Sequence, residues 1–147
     1  MKASKNLISL LILTISILFS LNTFASDKKG TKAEAAAAEK LEQAVARASK
    51  NDWKVYAKAA TLLINRGHHL ELARAWATHA IEVENNAITQ EALADYFFRT
   101  HDLQTAFHHY QLGIRLAVKS HNKDSLIRLQ RKALAVGREV KKVSRKL

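Results

Sequence analysis

Residues 60–81 read ATLLINRGHHLELARAWATHAI and residues 93–114 read LADYFFRTHDLQTAFHHYQLGI, so the second stretch is the first moved forward by 33 positions. Arg66 falls on Arg99, His68 on His101, Leu70 on Leu103, Ala73 on Ala106 and Ile81 on Ile114. Between these identities the substitutions keep class, with Thr61 on Ala94, Ile64 on Phe97 and Ala80 on Gly113. A helical unit repeated at this period cannot bury its apolar side alone, so neighbouring units must stack. The expected fold is all-α, a right-handed stack of helical hairpins.

Outward from the echo, six helical segments follow residue 31, and the chain contains no proline. The first, residues 32–50, is alanine-rich with a stripe at Ala37, Leu41, Ala44, Val45 and Ala48. Asn51 and Asp52 break it and offer a cap to a second helix over about 53–66, which Gly67 stops. The third runs over about 70–84 and ends at Asn85-Asn86. The fourth covers about 88–99, and Asp102 caps the fifth, about 103–119. Asn122 or Asp124 opens a sixth that reaches about residue 145. Short connections make successive helices antiparallel neighbours, so the second pairs with the third and the fourth with the fifth.

Over residues 53–117 these features resemble the tetratricopeptide repeat family. Thr61 and Ala94 stand where first helices of that family pack closely. The turns 67–70 and 101–103 match its loop, and Ala73, Ala80, Ala106, Tyr110 and Gly113 match its second helix. A degenerate half-unit is visible at Ala37, Leu41, Ala44 and Val45. The chain departs from the family pattern in lacking the closing proline, in placing Trp76 one step from the position of Ala77, and in a period one residue short. The resemblance implies a non-enzymatic module that binds a protein or peptide partner along the face built by the first helices. That face would carry Lys58, Leu62, Asn65 and Arg66 from one unit and Glu91, Asp95, Phe98 and Arg99 from the next. Lys58, Asn65, Arg66, Phe98 and Arg99 are the candidate partner-binding residues, with Arg66 and Arg99 stacked one unit apart to hold a carboxylate. The competing expectation is local pairing of Arg99 with Asp95, four residues away on one helix.

The first 25 residues form a separate segment. Lys2 and Lys5 precede an uncharged, mostly apolar run at 7–21, and Thr23-Phe24-Ala25 presents small residues to a signal peptidase before Ser26. The run is short of the roughly 20 apolar residues a membrane span needs. The expectation is an exported protein, periplasmic or secreted, whose residues 26–31 are a polar lead-in to a single domain at 32–147. The absence of cysteine excludes disulfides, a lipid-modified terminus and thiol chemistry.

Charge is unevenly placed. The chain's formal charge of +11 falls to +9 when Lys2 and Lys5 leave with the leader. Residues 26–114 hold 11 basic and 11 acidic side chains, whereas residues 115–147 hold 11 basic against Asp124 and Glu139 alone. The excess therefore belongs to the last helix, residues 122–147. Leu126, Leu129, Ala133, Val136, Val140, Val143 and Leu147 give it a heptad-like seam. Arg138, Lys141, Lys142, Arg145 and Lys146 form its basic side, with Arg128, Arg131 and Lys132 on the remaining faces. At about 1.5 Å per residue the helix is roughly 35 Å long. Three roles compete: a cap on the stack up to about Val136, a helix that docks an acidic or coiled-coil partner, and a basic amphipathic surface for anionic lipid. No Trp or Phe follows Tyr110 to anchor it in a membrane, and no base-stacking aromatics accompany the charge for nucleic acid.

Seven histidines invite a metal reading: His68, His69, His79, His101, His108, His109 and His121. None forms the metalloprotease pair, and adjacent His108 and His109 diverge by about 100° on a helix. His68 and His101, at matching repeat positions, are the best remaining pair, and polar turn residues are the expected role. There is no nucleophile elbow and no phosphate-cradling glycine loop, so neither catalysis nor a cofactor is expected.

Overall fold

The computed structural model describes residues 32–144. Six helices make up this region: α1 (Lys32–Arg47), α2 (Trp53–Arg66), α3 (Leu70–Val83), α4 (Ala87–Arg99), α5 (Leu103–Lys119) and α6 (Lys123–Ser144). No strand occurs among the described residues. The segments assigned to a leader and lead-in, and Arg145, Lys146 and Leu147, lie outside them.

Capping chemistry sets the boundaries. Asp52 Oδ1 accepts from the N–H of Val55 at 3.4 Å, and Asp102 Oδ1 from that of Thr105 at 3.1 Å. Asn86 and Thr89 form a reciprocal capping box at the start of α4, and Asn122 caps α6 through the Ser125 N–H at 3.0 Å. The helix ends repeat one device. In Thr100-His101-Asp102 the His101 N–H reaches the Phe98 carbonyl at 3.2 Å and the Asp102 N–H reaches that of Phe97 at 2.9 Å. In Ser120-His121-Asn122 the corresponding bonds run to Val118 at 3.1 Å and Ala117 at 2.9 Å. Both are Schellman closures with histidine, at φ 65° and 56°, in the left-handed position that glycine usually takes. Only Gly67, at φ 73°, supplies the usual residue.

Tight loops turn α2 onto α3 and α4 onto α5, and α4 lies against both α2 and α3. Close approach requires small side chains, and Ala60, Ala73, Ala77, Ala80, Ala94 and Ala106 are all fully buried. Gly113 is the extreme case, since a Cβ there would press on Leu129 at 3.1 Å. One buried cluster gathers α1 to α4 around Leu63, Ile64 and Trp76, and a second gathers α4 to α6 around Tyr110, Leu129 and Val136. Phe97 packs against both. The α1 stripe is rotated from its expected position. Ala38 and Val45 are buried and Ala44 is exposed, because among the described helices α1 rests on α2 alone and buries only a narrow edge.

Helix α6 closes the stack on α5 and touches α4. Its seam is buried at Leu129, Ala133 and Val136, half-buried at Val140, and open by Val143, which is 53% exposed. The capping role thus extends through the first half of the helix, and its last turns project beyond the core. Leu129→Ala should lower stability by about 2–5 kcal/mol, as for other buried leucines. Leu134→Ala, on the outer side of α6, should stay within about 0.5 kcal/mol. Urea unfolding followed by circular dichroism measures both.

Candidate partner-binding site

First helices α2, α4 and α6 share one face of the stack. Glu91 and Asp95 both lie on this face as expected, with Asp95 lining its cleft, but each is ion-paired with α6. Glu91 is only 7% exposed, and both carboxylates are covered by cations from α6. Arg128 donates from Nε to Glu91 Oε1 at 2.8 Å and from Nη2 to Oε2 at 2.8 Å. Lys132 Nζ lies 2.8 Å from Glu91 Oε1 and 2.7 Å from Asp95 Oδ2. The buried Tyr110 hydroxyl donates to Asp95 Oδ1 at 2.5 Å. Asp95 is therefore tied to Lys132 and Tyr110 and does not form the expected local pair with Arg99. Arg128 and Lys132, which the sequence places on the faces of the last helix away from its seam, reach back to α4.

The electrostatics follow from this geometry. Burial alone would raise the Glu91 pKa, but hydrogen bonds from Arg128 and Lys132 outweigh it and hold the carboxyl below its usual range. Burial pulls Lys132 down, and Asp95 and Glu91 more than restore it, so its pKa is raised. Tyr110 is pushed well up, first by burial and then by the Asp95 carboxylate beside it. Among the described residues every buried side-chain nitrogen and oxygen is hydrogen-bonded. Two carboxylates four residues apart on α4 repel each other, and two cations four residues apart on α6 neutralise them.

What remains open on this face is a cleft of about 280 Å³, bounded by Ile64, Asn65, Phe98, Arg99, Ala135 and Val136 and walled on one side by Asp95, Tyr110 and Lys132 of this ladder of ion pairs. Three of the five candidates, Asn65, Phe98 and Arg99, meet there. Phe98 is 43% exposed, and with Arg99 it also walls a second cleft of about 390 Å³ that reaches His101 and Glu139. Lys58 belongs elsewhere, in a cleft of about 330 Å³ with Trp53, Leu62 and Ile88. Arg66 is exposed at the end of α2. The expected stacking of Arg66 on Arg99 gives way to a different seat for Arg99. Its guanidinium lies over Gly67, where any Cβ would overlap it. There the cation faces the C-terminal end of α2, which favours positive charge. Ile64, Ala135 and Val136 were not expected in the site. Ile64 and Val136 are buried core residues and Ala135 is exposed, and the two α6 residues reach the cleft because α6 folds back.

No family model, curated protein or solved structure matches this chain. Function must therefore be read from the side chains. The histidines are spread through the helix ends and side-chain contacts: His69, His101 and His121 have positive φ, and His79 lies 2.9 Å from the Lys50 carbonyl. His109 bonds Gln90 at 2.8 Å and stacks on Phe97, and burial lowers its pKa, with His108 adding to the shift. Among the described residues no three His, Asp or Glu side chains come together as a metal site.

The ladder and the Arg99 seat are both open to test by substitution. Lys132→Met should cost about 1–3 kcal/mol, because Asp95 loses its cation. In a double-mutant cycle with Glu91→Gln the coupling should be at least about 0.5 kcal/mol. The depressed Glu91 pKa contributes stability above its unfolded value of about 4.3, lost as pH falls through the folded value. The wild type should therefore lose stability more steeply than Glu91→Gln below about pH 4, in unfolding curves collected across pH. Separately, Gly67→Ala should cost at least about 1 kcal/mol in thermal unfolding, from left-handed strain and displacement of Arg99.

Proposed function

We propose that this protein is a non-enzymatic adaptor of the tetratricopeptide-repeat type, holding a peptide segment of a partner protein on the α2–α4–α6 face. The observation that carries this reading is the half-exposed Phe98 beside Arg99 at the mouth of the 280 Å³ cleft. An apolar partner side chain would enter between Ile64, Phe98 and Val136, and a neighbouring carboxylate would meet the Arg99 guanidinium. The Asn65 amide adds a donor and an acceptor for main chain. Glu91 and Asp95 are ion-paired with Arg128 and Lys132, and Glu139 at the second cleft is paired with Lys142, which leaves the Arg99 cation at the cleft mouth and favours an acidic peptide over a basic one. The ladder also removes those carboxylates from acid–base work and so supports a binding role over catalysis. The leader-like residues 1–25 support action in the cell envelope, in the periplasm or outside the cell.

The test uses fluorescein-labelled peptides that vary one apolar residue and one adjacent carboxylate. Binding should require both. Phe98→Ala should weaken it at least about tenfold, equivalent to about 1.4 kcal/mol. Arg99→Gln should remove the preference for the acidic peptide, with helicity unchanged in both variants. Equal binding of all peptides by wild type and variants would refute the reading.

A further inference from the structure

A second surface, on the far side of α6, is built differently. Helices α5 and α6 leave between them a groove of about 650 Å³, with Phe107 and Ile114 on one wall and Leu134 and Gly137 on the other. Leu134 is 64% exposed. Val118 and Ile127, 56% and 55% exposed, continue the two walls by about one further turn. On α6 the positions Ile127, Gln130, Leu134, Gly137 and Lys141 recur at alternating three- and four-residue steps. This is a second stripe, separate from the inner seam of Leu129, Ala133 and Val136. From Phe107 to Val118 the α5 wall is about 16 Å long, which is three helical turns.

Gly137 is the informative residue. It sits inside α6, where glycine is unfavourable relative to alanine. Internal packing does not require it, because a Cβ there would make ordinary contact with Phe107 at 3.6 Å and nothing closer. Gly113 is the opposite case, pressed by Leu129. A glycine the fold does not need, at the floor of an exposed apolar groove, suits the close approach of another backbone. The charged side chains bordering the groove, Arg138 and Lys141, are both basic. Two copies of α6 laid together would oppose basic residues to basic residues, whereas carboxylates would be attracted.

We infer that the α5–α6 groove receives an amphipathic helix of another protein, about three turns long, apolar on one side and flanked by carboxylates. It would lie on α6 as a further helix of the stack, its apolar residues against Phe107, Ile114 and Leu134 and its acids against Arg138 and Lys141. This surface is separate from the Phe98 cleft, and its occupation does not depend on the cleft's role.

The probes are two synthetic helical peptides with the same leucine stripe, one flanked by glutamate and one by lysine. The glutamate peptide should bind the purified protein at least tenfold more tightly than the lysine peptide, and its affinity should fall with salt. Gly137→Leu fills the groove with a good helix former, so it should abolish binding while preserving the unfolding midpoint. Phe98→Ala should leave binding intact. Equal affinity for the two peptides, or unchanged binding by Gly137→Leu, would overturn the inference. So would a concentration-dependent dimer in light scattering that Gly137→Leu abolishes, since a second copy would then be the occupant. Sedimentation with anionic vesicles that Gly137→Leu abolishes, without peptide binding, would assign the groove to lipid and overturn it as well.

Discussion

A buried and a half-buried carboxylate on one helix must be neutralised, and the arrangement at Glu91 and Asp95 decides how the stack ends. Without the α6 cations, α4 would hold like charges four residues apart beside the Tyr110 hydroxyl. With them, Arg128 and Lys132 occupy adjacent turns of α6 and fix its axial position relative to α4. The apolar seam at Leu129, Ala133 and Val136 then falls on the second core cluster. Hydrophobic burial supplies the affinity of α6 for the stack, and the ion pairs supply its register. The inner cations serve the fold, and the outer ones, Arg138 and Lys141 among them, remain available to other molecules.

This division explains the two contrasting surfaces. On the inner side, neutralisation leaves a small apolar cleft edged by Phe98 and by an arginine seated over Gly67. On the outer side, α6 carries a second stripe that, among the described residues, only borders the α5 wall at Phe107 and Ile114, and it has basic flanks. A single amphipathic helix would show one face, and α6 shows two. The stack is therefore closed electrostatically on one side and open to addition on the other.

Much of the architecture was legible because it is locally encoded. Asp52, Asp102 and Asn122 mark helix starts through hydrogen bonds to residues three positions on, and Gly67 marks a stop by its φ. The short connections set the pairing of α2 with α3 and α4 with α5, and the 33-residue echo set the stacking of the two hairpins. The functional surface was less legible. Asn65, Phe98 and Arg99 do converge, but Lys58 lies in another cleft. The pairing of Glu91 and Asp95 was not legible because their partners lie 37 residues ahead, across a helix whose orientation no local spacing specifies. Counting charge by segment hid the pairing, since it set a neutral stretch beside a basic one. A sharper signal was present: an acid pair four apart on α4 and a basic pair four apart on α6. The Arg99 seat over Gly67 likewise joins two hairpins, and no periodicity within either one predicts it.

The reach of the ladder also bears on how the chain is made. Helices α2 to α5 form hairpins from neighbouring sequence, so their contacts can develop as the chain emerges. Through that interval the α4 carboxylates stand without their cations, and a nascent chain shows water an acidic ridge that the finished protein lacks. Synthesis of Arg128 and Lys132 removes it. A product that stops before Arg128 therefore differs from the full chain in leaving Glu91 and Asp95 without the cations that pair with them in the fold. A helper that recognises acidic, half-folded helices would distinguish unfinished molecules from finished ones by that feature alone.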